Sequence, residues 1–240
     1  MKALIMAAGL GSRLQQKTKD LPKALVNIAG RPILDYQIKS LISNNIKELV
    51  VIVGKEGDKI INFISSNHPE LKCHFVWNHE YNETDSSYSF WLAREFVKND
   101  QYIHINCDII FSESLLKMLI ASKRDNIIAI RTDISLTDNM ENIVLKKDRI
   151  TKMSIKNRLE STGKAYGLAK FSPNGTQYLI ERIGQYVSLG NKNMHCYGVI
   201  RELLGDIDYY GLDAGNELLM EVNTLSDFKR CNSILKKVGQ

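Results

Sequence analysis

Residues 7–25, AAGLGSRLQQKTKDLPKAL, decide how this chain folds. They overlap the end of an apolar run, residues 3–8, whose length and continuity predict a β-strand buried on both faces. Glycines placed directly after a strand let the backbone approach a ligand closely, and successive N–H groups in such a loop form a cradle for an anion. The stretch therefore predicts an anion-binding loop at the end of the first strand.

Two well-known phosphate-binding loops do not match this stretch. No Gly-Lys-Ser/Thr follows the glycines, which excludes a Walker A loop, and Leu14 occupies the third glycine position of a dinucleotide-binding G-x-G-x-x-G motif. Arg13 and Lys23 follow the glycines instead. Since a guanidinium offers phosphate a bidentate fork and an ammonium a point charge, the loop favours a nucleoside triphosphate over a dinucleotide. The alternative is an ordinary strand-to-turn connection with solvated Lys and Arg.

Outward from this loop, the first half of the chain alternates between two hydrophobic patterns. Continuous apolar runs predict buried strands, and apolar residues at helical spacing predict helices between them. The predicted strands are residues 3–8, 49–53, 73–77, 102–106 and 127–130, with helices after Pro32, around residues 60–64 and at residues 90–97. Strands that alternate with helices imply a parallel sheet with helices on both faces, which is an α/β fold.

After Arg131 the pattern becomes mixed. A hairpin is predicted around residues 147–149, and the final helix has Thr224 as its cap with Asp227 at its third position, where a capping-box acid lies. The other predicted elements are strands at residues 165–171, 209–212 and 218–222, a helix from an Asn174 cap to residue 187, and a helix at residues 195–204. Without a linker or repeat in between, we predict one domain, residues 1–240, with a nucleotide-binding lobe at about 1–131 and an acceptor-binding lobe at about 132–240.

Composition sets the broad class of the protein. The 240 residues are 44% hydrophobic and 25% charged, which is typical of a globular chain and excludes a disordered one. The net charge of +5 is mild and the lysines are scattered, so no nucleic-acid partner is expected. Apolar runs of about six residues are too short to span a bilayer, and no signal peptide or zinc-ligand cysteine spacing is present. We predict a cytoplasmic protein that binds no membrane. The sequence leaves open whether the protein forms a homodimer.

Three motifs together resemble a known family. A-A-G-x-G-x-R-L at residues 7–14, Pro-Lys-x-Leu at residues 22–25 and GRPIL at residues 30–34 are similar to the signature of nucleotidyltransferases that activate sugar phosphates and related small phosphates. The resemblance implies a Rossmann-like α/β fold, a mixed and mostly parallel sheet sandwiched between helices. It also implies Mg²⁺-dependent transfer of a nucleotidyl group with release of pyrophosphate.

The motif residues take roles by this resemblance. Arg13 would hold the β- and γ-phosphates, and Lys23 would draw the α-phosphate and the acceptor together. Both are therefore candidate catalytic residues. The candidate nucleotide-binding residues in the same region are Ala7, Ala8, Gly9, Gly11, Ser12 and Cys107.

Two polar residues are candidate metal ligands. Asp108 follows the fourth predicted strand, where ligands of open α/β sheets bind, and a lone carboxylate suits Mg²⁺, which keeps water and phosphate oxygens as its other ligands. Otherwise such an Asp is a turn residue. The resemblance places the second ligand at Asn223, where the family usually has Asp. An amide oxygen still coordinates a hard cation, while Asp227 is expected to cap the helix.

A polar segment, residues 77–93, indicates the base. Its pattern is similar to the segment that holds the nucleobase in cytidylyltransferases for phosphocholine and phosphonates, so CTP is the expected nucleotide. The candidate nucleotide-binding residues here are Thr84, Asp85, Ser86 and Ser87. The alternative is a polar loop in which Asp85 or Ser86 caps a helix.

The acceptor site is predicted from the second lobe. Residues 163–171 resemble a family strand that usually carries a glutamate, and Lys164 or Ala165 stands there instead, which argues for a different acceptor. Ring faces and carboxylates could meet an ammonium group, although such residues more often serve packing or solvated surface. The candidates are Tyr166, Tyr197, Asp213, Glu217 and Glu221. His104, in mid-strand, is predicted to be a core residue rather than a base.

The resulting hypothesis is cytidylyl transfer from CTP to a small phosphorylated or phosphonylated acceptor, such as a phosphocholine-like compound, an aminoalkylphosphonate or a phospho-amino acid. One alternative is a hexose-1-phosphate nucleotidyltransferase that uses UTP or dTTP. The other is a non-catalytic nucleotide sensor on the same fold. Asn223 in place of the family's usual Asp favours the sensor, whereas Lys23 and Asp108, which match the family pattern, favour an enzyme.

Overall fold

The computed structural model describes residues 1–156 and 159–238, and within them the chain forms thirteen β-strands and seven α-helices. The strands are β1 (Lys2–Ala7), β2 (Asn27–Ile28), β3 (Arg31–Pro32), β4 (Glu48–Val53), β5 (Lys72–Trp77), β6 (Tyr102–Asn106), β7 (Ile109–Phe111), β8 (Ile127–Arg131), β9 (Asn142–Lys146), β10 (Arg149–Ser154), β11 (Gly163–Phe171), β12 (Tyr210–Asp213) and β13 (Leu219–Glu221). The helices are α1 (Ile33–Ser43), α2 (Gly57–Asn67), α3 (Ser86–Ala93), α4 (Glu113–Ala121), α5 (Pro173–Ser188), α6 (Cys196–Glu202) and α7 (Leu225–Val238).

Nine of these strands form one mixed sheet in the order β5-β4-β1-β6-β11-β8-β12-β10-β9. Parallel pairs join β5, β4, β1 and β6, and another joins β8 to β12. Both β10 and β11 are antiparallel to each strand they pair with, so they alone run against the other seven. The predicted mixed, mostly parallel sheet is confirmed.

The strand β1 shows why the sheet lies between two helical layers. Its side chains alternate across the sheet, with Ile5 in one apolar cluster and Leu4 in the other, both fully buried. The first cluster includes apolar residues of α1, α2 and α4, and the second includes those of α3, α5 and α6. A third cluster packs α7 against β2, β7 and β13.

Several predicted boundaries require correction. The predicted helix over residues 90–97 is α3, which begins earlier at Ser86 and passes at Arg94 into a short 3-10 helix, Arg94–Phe96. Helix α4 and the pair β7–β13 were not predicted as such, because α4 is only nine residues long and β7 only three. His104 is fully buried and burial lowers its pKa to about 4, which confirms it as a neutral core residue. Within the described residues, no helix combines the length and the apolar character needed to cross a bilayer.

The predicted Asn174 cap of α5 is wrong. The helix begins one residue earlier, at Pro173, and the Ser172 hydroxyl accepts a hydrogen bond from the Gly175 N–H at 3.1 Å. Ser172 leads the helix because Pro is suited to the first helical position, where its missing N–H has no intrahelical partner anyway. Asn174 is exposed on the first turn instead.

This cap gives a stability prediction. Ser172→Ala should lower the free energy of unfolding by about 1 kcal/mol, since it leaves a backbone N–H without its acceptor, whereas Asn174→Ala should leave it nearly unchanged. Urea titration of both variants provides the measurement. A larger loss for Asn174→Ala than for Ser172→Ala would contradict the assignment.

Candidate active site

The loop after β1 folds back on itself at Gly11. Gly11 has a φ of +65°, and a Cβ there would lie 3.1 Å from a methyl of Thr18 and 3.2 Å from the Cβ of Lys23. The Thr18 hydroxyl donates to the Gly11 carbonyl at 2.8 Å, which closes the turn. A left-handed backbone and this close contact both favour glycine, so Gly11 stands where the loop brings Lys23 against its own backbone.

Four polar side chains converge beyond this loop, and we call them the Lys23 cluster: Arg13, Lys23, Asp108 and Asn223. Lys23 Nζ donates to Asp108 Oδ2 at 2.8 Å and to Asn223 Oδ1 at 2.7 Å. Arg13 Nη2 donates to the same Asn223 oxygen at 2.8 Å. Residues from near the start, the middle and near the end of the chain therefore meet at one point, as their predicted roles require.

Backbone contacts fix the Asp108 side of the cluster. Asp108 lies in the turn between β6 and β7, and the buried Gln37 side chain of α1 donates to the Asn106 and Ile109 carbonyls at 2.9 and 2.8 Å. The Val222 N–H donates to the Asp108 carbonyl at 2.8 Å. These bonds fix the backbone of the turn. They also pair carbonyl groups that would be costly to bury without a donor.

The Asn223 side is fixed by the capping box of α7. Asp227 accepts from the backbone N–H groups of Asn223 and Thr224 at 3.2 and 2.9 Å, and the Thr224 hydroxyl accepts from the Asp227 N–H at 3.2 Å. The predicted cap at Thr224 and the capping role of Asp227 are confirmed. Asn223 is thereby held between β13 and α7.

The electrostatics of the Lys23 cluster favour an anionic ligand. Two cations face one carboxylate, which leaves a formal excess of one positive charge, and Lys23 is only 8% exposed. The exposed Arg13 guanidinium carries this excess, so an anionic ligand can approach it from solvent and compensate for it. A triphosphate would do so.

The residues of the cluster also fit a divalent cation. Asp108 Oδ1 is buried and has no hydrogen-bond partner among the described residues. The Asn223 amide oxygen accepts a hydrogen bond from the same Lys23 ammonium that donates to Asp108 Oδ2. Within the described residues, no group of three or more His, Cys, Asp and Glu side chains could hold a metal. One carboxylate and one amide oxygen suit Mg²⁺, which keeps several water or phosphate oxygens, better than a metal that needs a full protein cage.

The other predicted residues of the first strand and its loop line the same region. Ala7 and Ala8 are buried at the end of β1, and the Cys107 N–H donates to the Met6 carbonyl at 3.3 Å beside them. Burial, reinforced by the neighbouring Asp108, raises the pKa of the Cys107 thiol to about 12, so it remains protonated at neutral pH. A Cβ at Gly9 would meet open space, which leaves its backbone accessible to a ligand.

An open groove of about 410 Å³ borders this loop. Its lining residues are Leu10, Ser12, Gln15, Gln16, Thr18, Lys19 and Lys55. Lys55 was not predicted; its ammonium donates to the Lys19 carbonyl at 2.8 Å and ties the loop to the segment before α2. Ser12 is the predicted nucleotide-binding residue in this groove.

The predicted base-binding residues lie at the start of α3. The Asp85 side chain caps the helix, as the alternative interpretation expected, and the Ser86 hydroxyl accepts from the Cys196 N–H at 2.9 Å. The Thr84 hydroxyl accepts from Asn78 at 3.0 Å, while Ser87 is buried. These bonds shape a polar helix start, and no described contact joins it to the Lys23 cluster.

The predicted acceptor residues divide into two groups. Tyr166 and Tyr197 are buried, and the Tyr197 hydroxyl donates to the Tyr166 carbonyl at 2.6 Å. Burial, reinforced by Cys196 and by the carboxylates Glu141, Glu221 and Asp108, raises the pKa of Tyr197 well above its ordinary value, so its hydroxyl stays protonated. Glu221 lies opposite Ile109, next to Asp108, in the β13–β7 pair, and the Lys164 ammonium links Glu221 to the Tyr166 ring.

Asp213 and Glu217 lie elsewhere. Asp213 accepts from the Thr132 hydroxyl and the Gly215 N–H, and Glu217 accepts from the hydroxyls of Ser112 and Ser114 at the start of α4. No described contact connects either carboxylate with the Lys23 cluster. A contact that sequence reasoning missed is the ion pair between Lys164 and Glu221, which no local pattern indicates because 57 residues separate the two.

Comparisons with known proteins identify the family and relatives of this chain. A family model described as Nucleotidyl transferase matches residues 2–183. Among curated proteins, the CTP:phosphoglutamine cytidylyltransferase of Campylobacter jejuni is 34% identical over 131 residues, 52% of this chain and 50% of that protein. The CMP-5'-(3-aminopropyl)phosphonate synthase of Streptomyces rubellomurinus is 32% identical over 129 residues, 54% of this chain and 20% of that protein. The matches thus span half or less of these relatives.

Solved structures share the fold over nearly the whole chain. The CTP:phosphocholine cytidylyltransferase from Streptococcus pneumoniae aligns with a TM-score of 0.80 and 20% identity, covering 98% of both chains. The inositol-1-phosphate CTP transferase from T. maritima aligns with a TM-score of 0.80 and 19% identity, covering 97% of this chain and 95% of that one. At such identities the likeness establishes the fold.

Proposed function

The chain belongs to the nucleotidyl transferase family, and from that premise we propose that it transfers a cytidylyl group from CTP to a small phosphorylated or phosphonylated acceptor and releases pyrophosphate. The observation that carries the proposal is the Lys23 ammonium, which lies 2.8 Å from Asp108 and 2.7 Å from Asn223 with Arg13 beside it. A cluster with a positive excess next to a glycine loop suits a triphosphate that loses its two outer phosphates.

In the proposed reaction, a phosphate or phosphonate oxygen of the acceptor attacks the α-phosphorus of CTP. The bond from the α-phosphorus to the oxygen that bridges to the β-phosphate breaks, and pyrophosphate leaves with that electron pair. The attacking oxygen is already anionic, so no general base is required. The enzyme contributes positioning and charge neutralisation, with Arg13 directed at the leaving phosphates and Lys23 at the α-phosphate and the acceptor.

Asp108 and Asn223 would hold Mg²⁺, and a bound Mg²⁺ supplies further neutralisation of the triphosphate charge. Lys23 already donates to both of these side chains. Lys23 must therefore turn from Asp108 and Asn223 toward the phosphates when the substrates bind. Asp108 Oδ1, which has no hydrogen-bond partner among the described residues, is available to the metal ion.

Two observations support CTP over other nucleotides. The segment that begins at Asn78 and leads into α3 matches the sequence pattern expected for a cytosine-binding loop, and Asn78 holds Thr84 and Ser89 at 3.0 Å each. The curated relatives described above are named for CTP or CMP chemistry. We further propose that the parts of the chain at about 1–131 and 132–240 act as two lobes of one domain, because Asn223 completes a site begun by Arg13 and Lys23.

Thermal stabilisation by each of the four ribonucleoside triphosphates and dTTP, with Mg²⁺, tests the base. At 100 times its dissociation constant CTP should add about 2.7 kcal/mol of stability, a rise in Tm of roughly 5–10 °C for a chain of this size, and the other triphosphates should add much less. A rise with UTP or dTTP and none with CTP would overturn the choice of base. CTP binding without pyrophosphate release from any phosphorylated acceptor would instead indicate the nucleotide sensor.

A further inference from the structure

Lys164 places a buried ammonium group in the part of the molecule where the acceptor is expected. Lys164 is 7% exposed, its Nζ forms an ion pair with Glu221 Oε2, and it lies 4.4 Å from the centre of the Tyr166 ring. A carboxylate and an aromatic face are the two groups with which proteins bind organic cations. In this chain both already hold the protein's own lysine.

The Lys164–Glu221 pair lies beside the Lys23 cluster. Glu221 precedes Asn223 by two residues, and the N–H of Val222 between them donates to the Asp108 carbonyl at 2.8 Å. In the β13–β7 pair, Glu221 lies opposite Ile109, the residue that follows Asp108. An acceptor whose phosphate reaches Lys23 would therefore have its other end near this pair.

The pair still has free hydrogen-bonding capacity. An ammonium has three N–H donors, and among the described residues Lys164 Nζ has one hydrogen-bond acceptor, Oε2 of Glu221. The Glu221 side chain is 22% exposed, compared with 9% for Lys164, so the carboxylate is reached from solvent more easily than the ammonium. The pair thus presents a donor and an acceptor of opposite charge at adjacent positions.

We propose that the Lys164–Glu221 pair determines acceptor specificity by binding a zwitterionic amino-acid head, with its carboxylate on Lys164 and its ammonium on Glu221. The acceptor would then be a phosphorylated or phosphonylated amino acid; this inference rests on the cytidylyl transfer proposed above. A quaternary ammonium is disfavoured because it has no N–H to donate to Glu221 and because the aromatic face it would need, the Tyr166 ring, is already covered by the Lys164 ammonium. A neutral sugar phosphate offers neither charge of the pair an ionic partner, so the pair contributes no binding preference for it.

A matched series of acceptors tests this specificity. O-phosphoserine, phosphoethanolamine and phosphocholine carry the same phosphate but differ in head group, and pyrophosphate release with CTP and Mg²⁺ gives kcat/KM for each. We expect O-phosphoserine to exceed phosphoethanolamine by at least about tenfold and phosphocholine by about a hundredfold, since a site built to pair with a charged group rejects analogues that lack it. Equal or greater efficiency with phosphocholine would overturn the inference, and so would CTP binding without turnover of any of the three.

Variants separate specificity from folding. Lys164→Gln should raise the KM for O-phosphoserine by about tenfold or more, with kcat and the KM for CTP within about twofold of wild type, and Lys164→Arg should restore part of the affinity. The double variant Lys164→Gln, Glu221→Gln removes both buried charges and keeps the test valid if the single variant is unstable. Lys152→Gln, which loses an exposed lysine paired with Glu160, is the control. An unchanged KM for O-phosphoserine in folded Lys164→Gln would contradict the proposal.

The two proposals fail in different ways. If cytidylyl transfer itself is wrong, either CTP produces no thermal stabilisation of the wild-type protein, or CTP stabilises it and no phosphorylated acceptor releases pyrophosphate. If only the acceptor class is wrong, CTP stabilises the protein, some phosphorylated acceptor releases pyrophosphate, and the ranking of the three acceptors differs from the one expected.

Discussion

Replacing Asp108 by Asn should reduce pyrophosphate release by at least about 10²- to 10³-fold while the protein stays folded. The substitution removes the carboxylate that faces Lys23 and weakens one of the two proposed metal ligands. The amide oxygen can still accept the Lys23 hydrogen bond, now 2.8 Å long, so the side chain remains accommodated. Asp108→Ala should also abolish turnover, but it leaves the buried Lys23 with Asn223 as its remaining acceptor in the cluster and should lower stability as well.

Single-turnover and steady-state assays of pyrophosphate release measure this effect, with thermal unfolding as the check on folding. Asp100→Asn is the matched control, because Asp100 also forms a 2.8 Å ion pair with a lysine, Lys2, but is more than half exposed. Turnover of Asp108→Asn near that of the control would reject Asp108 as a residue of the active site.

Replacing Lys23 by Met should lower kcat/KM for the triphosphate by about 10²-fold or more, because a preorganised cation aimed at the transferred phosphate is lost. The same substitution frees Asp108 and Asn223 from their shared donor, and Asp108 Oδ1 already lacks a partner among the described residues. Mg²⁺ alone should therefore stabilise Lys23→Met against heat more than it stabilises the wild type. Lys23→Arg should restore turnover only in part, since a planar guanidinium does not reproduce a compact ammonium.

The control for this second substitution is Lys117→Met, which removes an exposed lysine of α4. Two measurements are needed, the kinetics of pyrophosphate release and the change in Tm on adding Mg²⁺. If Lys23→Met retains wild-type turnover and responds to Mg²⁺ as Lys117→Met does, Lys23 has neither the catalytic role nor the contact with the metal ligands that we propose.

Sequence patterns predicted those parts of the fold that depend on local signals. The apolar run of β1 and the similar runs of β4 and β8 identify the buried strands, because strands covered on both faces need nearly continuous hydrophobicity. Helix α4 has a clear local cap, with the Ser112 hydroxyl accepting from the Leu115 N–H at 3.3 Å, but its nine residues span few periods of the apolar repeat. The short β7–β13 pair is defined only by tertiary contact.

The same distinction applies to the site. The glycine loop, Lys23 and Asp108 have recognisable spacing, so the sequence predicted the residues that the fold brings together. The acceptor region depends on contacts between segments that are distant in the sequence. Examples are the hydrogen bond from the Tyr197 hydroxyl to the Tyr166 carbonyl and the ion pair between Lys164 and Glu221. No periodicity encodes such pairs, which explains why Lys164 was noticed only as a departure from a family pattern.

The buried Gln37 side chain, which holds both carbonyls of the turn around Asp108, has an evolutionary consequence. The acidic turn is anchored from the interior of the molecule, because Gln37 is only 1% exposed. Surface residues that contact different acceptors can therefore drift over generations without displacing Asp108. A scaffold built in this way can diversify its substrates while the position of its central carboxylate is inherited unchanged.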